Sequence, residues 1–192
     1  MFNEIDITEY RQADYDIDPQ FIHRWSPRAM NGEALEKETV HKLLEAGRWA
    51  PSSYNEQPWR FIVGLNGGET FEKLYDSLID FNQMWCKNAG ALVAIVSNKK
   101  HENGNEYWSS SFDCGSTWMS IALQASKDDL VCHGMTGINF DDLRDAFDIP
   151  DSQRIEMMFA LGHPGDREDL PEEARVTPSG RKDVEELILT SD

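Results

Sequence analysis

The run Arg24-Trp25-Ser26-Pro27-Arg28 places two guanidinium groups and a hydroxyl at alternate positions. In an extended segment, residues i, i+2 and i+4 point the same way. Pro27 disfavours helix and pushes Ser26 toward extended geometry. Arg24, Ser26 and Arg28 would then share one face and form an anion receptor, because a guanidinium fork matches phosphate bidentately. The competing reading is a solvated basic stretch paired with nearby acids. A second run, Ala50-Pro51-Ser52-Ser53-Tyr54-Asn55-Glu56-Gln57-Pro58-Trp59-Arg60, brackets a polar loop with prolines. The amides of Asn55 and Gln57 can each donate and accept, which suits a heterocycle whose edge shows both. They could equally cap their own loop backbone. A third run, Cys132-His133-Gly134-Met135-Thr136-Gly137-Ile138, has two glycines that let backbone approach a flat ligand closely. His133 reads as a structural histidine rather than a base. The fourth, Ser179-Gly180-Arg181-Lys182, is one of few basic spots in an acidic chain, fit for an anion or for a tether to nearby acids.

These residues need elements to position them. Val40, Leu43, Leu44 and Gly47 sit at helical spacing within Ala34 to Ala50, ahead of the helix-stopping Pro51. Arg60 to Leu65 reads as a strand closed by Asn66-Gly67-Gly68. Thr70 is expected to cap a helix carrying Phe71, Leu74, Tyr75 and Leu78. Ala89 to Ser97 is a continuous apolar run, so both its faces should be covered at the centre of a sheet. Asn98 to Glu106 is a polar loop. Ser109 to Ser126 predicts a helix with Phe112, Gly115, Met119, Ala122, Leu123 and Ser126 along one side, where Gly115 and Ala122 would admit a second helix. Leu130 to Cys132 is a short strand. A helix follows Asn139, and Arg154 to Leu161 is a further strand. The acidic piece from Gly165 to Gly180 reads as surface loop. Asp183 and Glu186 stand in capping-box spacing before a terminal helix. Trp49 and Trp59 are core candidates. The class is α/β or α+β around one main sheet, read as a single domain over residues 1–192 with a loose acidic arm over residues 1–20.

Composition narrows the function. The chain has 192 residues, 18 Lys+Arg against 35 Asp+Glu and a formal net charge of −17. Such a surface repels polyphosphate, which argues against nucleic acid and anionic membranes as partners. The opening residues lack the basic and apolar regions of a signal peptide, and no apolar run reaches membrane-span length. Cys86, Cys114 and Cys132 are odd in number and far apart, so they read as buried packing residues in a reducing, cytoplasmic setting. No ligand spacing matches a metal site. Gly64 to Thr70 lacks the lysine of a phosphate loop, and no G-x-G-x-x-G, G-x-S-x-G or H-E-x-x-H appears.

Taken in order, the four runs resemble the flavin-dependent nitroreductase family. RWSPRAM is similar to that family's R-x-S-x-R segment, and APSSYNEQPWRFIV to its A-P-S-x-x-N-x-Q-P-W-x-F segment. Asp113-x-Gly115 with ALQA resembles its long central helix. GMTGINFDDLRDAFDIP with IEMMFALGHPGD resembles its glycine turn, helix and late strand, and GRKDVEELI its closing basic segment. The matches run from about Arg24 to Ile188.

The resemblance implies an α+β fold with a central, mostly antiparallel sheet flanked by helices, working as an intertwined homodimer. It implies FMN at the subunit interface and NADH or NADPH as electron donor. Arg24, Trp25, Ser26 and Arg28 match the segment for the FMN phosphate, ribityl and pyrimidine end. Asn55 and Gln57 match positions that meet the ring edge, often from the other subunit. Met135, Thr136 and Gly137 match the turn near the ring, and Arg181 a phosphate-binding arginine. No side chain is expected to act as nucleophile; hydride passes through flavin N5 in a ping-pong cycle, with Arg28 the candidate for tuning the ring. The expected substrates are small electrophiles such as nitroaromatics, quinones or activated alkenes. A reductive dehalogenase or flavin-fragmenting type, or a flavin-binding protein with little turnover, are the alternatives. Three departures are visible: Ser179 where many members carry lysine, Met30 for a common phenylalanine, and Trp25 for a basic or polar residue.

Overall fold

The computed structural model describes residues 5–191. Met1–Glu4, the start of the acidic arm, and Asp192 lie outside the described residues. A one-turn helix α1 (Gln20–His23) is followed by α2 (Lys37–Arg48), strand β1 (Trp59–Leu65), α3 (Glu69–Asp76), α4 (Asp80–Cys86) and β2 (Ala91–Asn98). The long α5 (Ser110–Lys127), β3 (Val131–Met135), α6 (Phe140–Ala146), β4 (Gln153–Gly162) and a one-turn α7 (Val184–Leu187) complete the order.

Among the described residues, four strands form one sheet in the order β1-β2-β4-β3, and every pairing between them is antiparallel. Val93 is paired with Val63 on one side and Phe159 on the other, so β2 is central. Its continuous apolar run follows from burial on both faces. Alternate residues of a strand point to opposite sides. Leu92, Ala94 and Val96 join Met158, Ala160 and Val131 under α3, α4 and α6, against Phe71, Leu74, Trp85 and Leu143. Ala91, Val93 and Ile95 join Phe159, Leu161 and Cys132 under α2 and α5, against Val40, Leu43, Ile121 and Ala125. The three cysteines are free and buried. Among the described residues, no helix is long and apolar enough to cross a membrane.

Several elements differ from the expectation. Helix α4 was not anticipated: it spans seven residues, its N-cap is Ile79 rather than a side chain that can cap, and it buries Asn82 beside Trp85. Gly68, not Thr70, caps α3. Asp183 makes no side-chain capping bond to α7. The 165–180 segment buries Leu170 and Ala174 and holds two 3-10 turns, so it is more than surface loop. Trp49 lies outside the core, 74% exposed, its indole donating to Glu45 Oε1 at 2.9 Å.

Of the side of α5 expected to face inward, Ala122 is buried, but the phase is otherwise different. Phe112 is 79% exposed and Gly115 has open space around it, whereas Cys114, Thr117, Ile121 and Ala125 are buried. The helix turns its small and polar side inward because α2 approaches there. A Cβ on Gly47 would stand 2.7 Å from Ile121 Cγ1, and Thr117 Oγ1 donates to the Gly47 carbonyl at 3.2 Å. Close helix approach therefore rests on Gly47 and not on Gly115.

Candidate functional site

Arg24 leaves α1 with extended backbone, and the segment 24–28 passes over β3. Arg24, Trp25, Ser26 and Arg181 come together in a cleft of about 230 Å³, walled also by Arg11, His133 and residues 176–179. Among the described residues, three arginines face this space and no carboxylate lines it. Arg24 is 8% exposed and donates through Nη1 to Ser26 Oγ at 3.1 Å. Its Nε is buried with no partner among the described residues. A buried donor without an acceptor is costly, so this nitrogen calls for a ligand. Arg181 donates to the carbonyls of Ser179 and Gly180, at 3.2 and 2.8 Å. Burial first, and the neighbouring Arg181 second, lower the pKa of Arg24. The guanidinium remains charged all the same.

Below the cleft, His133 Nδ1 lies 3.0 Å from the Pro27 carbonyl. A carbonyl can only accept, so Nδ1 carries the proton and donates. Burial lowers the His133 pKa to about 4, against the bonds to the Pro27 and Ser26 backbone that raise it. The ring is neutral at pH 7 and supports the strand instead of working as a base. It also packs against Trp85, ring centres 4.7 Å apart.

Arg28 departs from the expected face. Its Nη1 donates to the Ala174 carbonyl at 3.3 Å, and its guanidinium carbon stands 4.9 Å from the Phe81 ring centre and 5.5 Å from that of Trp85. The aromatic rings of α4 draw the cation over them. Arg28 borders a different groove, of about 660 Å³, between residues 5–10 and 164–170. Its Nε, too, is buried without a partner among the described residues. The expected trio of Arg24, Ser26 and Arg28 on one face is thus corrected: Arg24 and Ser26 share a cleft with Arg181 and Arg11, and Arg28 lies beside α4.

Helix α4 also holds the glycine turn. The Gly137 carbonyl accepts from the Ile79 backbone N–H at 3.2 Å and from Asn82 Nδ2 at 3.0 Å. A Cβ on Gly137 would sit 2.5 Å from that amide nitrogen. Met135 is buried, its sulfur 3.7 Å from Cys86 Sγ, while Thr136 is exposed. Arg28 and the turn Met135-Thr136-Gly137 are therefore anchored to one helix, which joins the cleft through Trp85, His133 and Pro27.

Asn55 and Gln57 belong to another region of the chain. Asn55 is exposed, and Gln57 Nε2 donates back to the Asn55 carbonyl at 2.9 Å. Their loop packs on the start of α5, where Ser53 N–H donates to Asp113 Oδ2 at 3.1 Å. Tyr54, Asn55 and Gln57 all take positive φ, at 52°, 58° and 49°. Such strain persists only where surroundings enforce it, and it concentrates at working sites.

Sequence reasoning missed Arg11, Phe81 and Trp85. Arg11 stood out in one respect: it is the single Lys or Arg before Arg24 in an acidic stretch. The two aromatics sit in the unassigned α4. Chemically, the arrangement offers a cationic cleft for a compact dianion, linked through His133 and Trp85 to α4 with Arg28 over its aromatic rings.

Comparison with known proteins places the chain in a family. The model of the Nitroreductase family matches residues 22–84 and 80–163. A protein of Archaeoglobus fulgidus, provisionally named NADH dehydrogenase/NAD(P)H nitroreductase, is 28% identical over 158 residues, 78% of this chain and 86% of its own length. A solved oxidoreductase containing FMN is 36% identical, with 95% of each chain covered and a TM-score of 0.90. A provisionally assigned nitroreductase of Desulfovibrio desulfuricans, solved in complex with FMN, shares the fold at 21% identity, with 99% of each chain covered and a TM-score of 0.70. With most of its length matched in this way, the chain belongs to the Nitroreductase family.

Proposed function

We propose that the chain is an FMN-dependent NAD(P)H oxidoreductase that reduces small electrophiles, such as nitroaromatics, quinones or activated alkenes, as a homodimer in the cytoplasm. The carrying observation is the carboxylate-free cleft in which Arg11, Arg24 and Arg181 meet and Arg24 Nε lacks an acceptor. A phosphomonoester dianion fits that donor set, which is what FMN presents at its tail.

When bound, FMN supplies hydride acceptance from NADH or NADPH and hydride delivery to an oxidant. The chain's own residues bind and orient it. Arg24, Ser26 and Arg181 hold the phosphate, with Trp25 at the rim. Arg28, steadied by Phe81 and Trp85, keeps a fixed positive charge beside α4, the helix that also anchors the Met135–Gly137 turn. A preorganised cation in that position stabilises negative charge gained during reduction. The neutral His133 and the buried cysteines leave proton-transfer and nucleophilic roles empty; burial pushes the Cys132 and Cys114 thiols up to about 12.

A homodimer accounts for what a single copy leaves open. Asn55 and Gln57 lie apart from the arginine cleft of their own chain, so they would serve the site of the second subunit. Tyr54, Trp108 and Phe112 are 92%, 87% and 79% exposed, and large exposed apolar surface of this kind marks a contact face. The free thiols suit a reducing compartment, and the net charge of −17 suits small-molecule rather than nucleic-acid substrates.

The test is anaerobic. FMN-loaded protein titrated with NADH or NADPH should bleach, then regain its colour on adding a nitroaromatic or quinone, with parallel double-reciprocal plots. Protein that takes up no FMN, or holds it without bleaching by either nucleotide, overturns the reading.

A further inference from the structure

We propose that Arg11 is a positioning residue of the anion cleft: by bonding the segments that carry Arg24 and Arg181, it couples docking of the N-terminal arm to binding of a phosphomonoester. This rests on the FMN reading above.

The geometry is specific. Arg11 Nε donates to the Ser179 carbonyl at 2.9 Å, and Nη1 donates to the carbonyls of Ile22 and Arg24, at 2.9 and 2.7 Å. One fork therefore spans two chain segments, one ending in Arg24 and the other two residues from Arg181. Arg11 sits in an acidic stretch, where an ion pair would be the ordinary arrangement. Among the described residues, Arg11 makes none, and its guanidinium turns into the cleft.

The arm has little else to hold it. No residue from Ile5 to His23 is buried, so apolar packing contributes little. The arm's bonds to the C-terminal segment are exposed: Val184 N–H to Asp14 at 3.0 Å and the Tyr15 hydroxyl to Glu185 at 3.5 Å. Meanwhile Arg11, Arg24 and Arg181 repel one another, and that repulsion lowers the pKa of Arg11 after the effect of burial. Carbonyl acceptors satisfy hydrogen bonds without cancelling charge. A dianion cancels it, so phosphate binding strengthens arm docking, and by linkage the docked arm strengthens phosphate binding by the same factor.

The experiment measures FMN and riboflavin affinity for the apo-protein and its Arg11→Ala, Arg11→Lys and Arg24→Ala variants, together with amide hydrogen exchange across residues 7–23 with and without FMN. Arg11→Ala should weaken FMN on the order of tenfold, because the segments carrying Arg24 and Arg181 lose the charge-assisted bonds that hold them together. Riboflavin, which has no phosphate, should bind unchanged. Arg11→Lys keeps the charge without the fork, so it should recover part of the FMN affinity but not the arm's protection. FMN should slow exchange in the wild-type arm and not in Arg11→Ala. Thermal unfolding of apo Arg11→Ala at the wild-type temperature establishes that the variant folds. If Arg24→Ala weakens FMN while both Arg11 variants bind it normally, the proposal for Arg11 is overturned and the FMN site stands. If Arg24→Ala also binds FMN normally, the FMN reading itself fails, and this proposal with it.

Discussion

Asp113, in the first turn of α5, accepts the backbone N–H of Ser53 at 3.1 Å across sixty residues of chain. The same oxygen, Oδ2, accepts the Tyr107 hydroxyl at 2.7 Å. Tyr107 stacks on His101, ring centres 4.0 Å apart, and His101 Nδ1 stands 2.8 Å from Glu56. This pillar holds the loop in which Tyr54, Asn55 and Gln57 adopt left-handed backbone. Each such residue costs roughly 1–2 kcal/mol, so the loop keeps its shape only while it is tied down.

Removing the tie should be felt both in stability and in turnover. Asp113→Ala strands the Ser53 N–H and leaves the Tyr107 hydroxyl only the more distant Ser53 carbonyl at 3.3 Å, a loss of about 1–3 kcal/mol in urea denaturation. Asp113→Asn retains an oxygen in place and should lose less. Equal losses in both variants would contradict the carboxylate's role as the shared acceptor.

The phase of α5 makes an opposing pair of predictions. Gly47→Ala drives a methyl group to within 2.7 Å of Ile121 and should destabilise by about 1–3 kcal/mol. Gly115→Ala meets open space and should be neutral or stabilising by up to about 1 kcal/mol through helix propensity. Chemical denaturation of both, below the concentration at which copies associate, checks the order.

His133 sets a pH dependence. Its folded-state pKa, lowered mainly by burial, is about 4 against 6.5 for the free side chain. The fold therefore prefers the neutral ring. Stability is fully present above pH 6.5 and falls as pH drops from 6.5 toward 4, where the unfolded chain takes up a proton that the folded chain refuses. The loss over that window is on the order of 3 kcal/mol. His133→Gln, which cannot titrate, should flatten the urea midpoint over this range relative to wild type.

The aromatic face should control assembly. Phe112→Glu places charge on an exposed helix surface without touching the described core, so the chain should still fold. Sedimentation should show monomer, and the monomer should bind FMN less tightly because Asn55 and Gln57 no longer reach the second site. A dimeric Phe112→Glu protein would move the interface elsewhere.

The legibility of the chain varied by physical cause. β2 was readable because two-sided burial imposes an unbroken apolar run. Arg24 and Arg181 stand out because basic residues are few in a chain of net charge −17, and Ser26 because it alternates with Arg24 in an extended segment. The wrong face of α5 came from weighing size over packing: Phe112 and Met119 look like core, yet the helix buries Cys114, Thr117 and Ala125 to let Gly47 approach. Arg28 escaped because its orientation depends on Phe81 and Trp85, which sit on a helix with neither a capping residue nor a clean apolar stripe. Arg11 escaped because its partners, the Ser179 and Arg24 carbonyls, exist only once distant segments meet. The Nitroreductase family resemblance was carried by ordered motifs, and the family model confirms it over residues 22–163.

The most direct measurement is a crystal structure of the protein grown with FMN. The account predicts density for the phosphate within hydrogen-bonding distance of Arg24 and Arg181, with Arg24 Nε engaged and the ring beside Arg28 and Gly137. Phosphate density outside the arginine cleft, or a ring held away from α4, would contradict it.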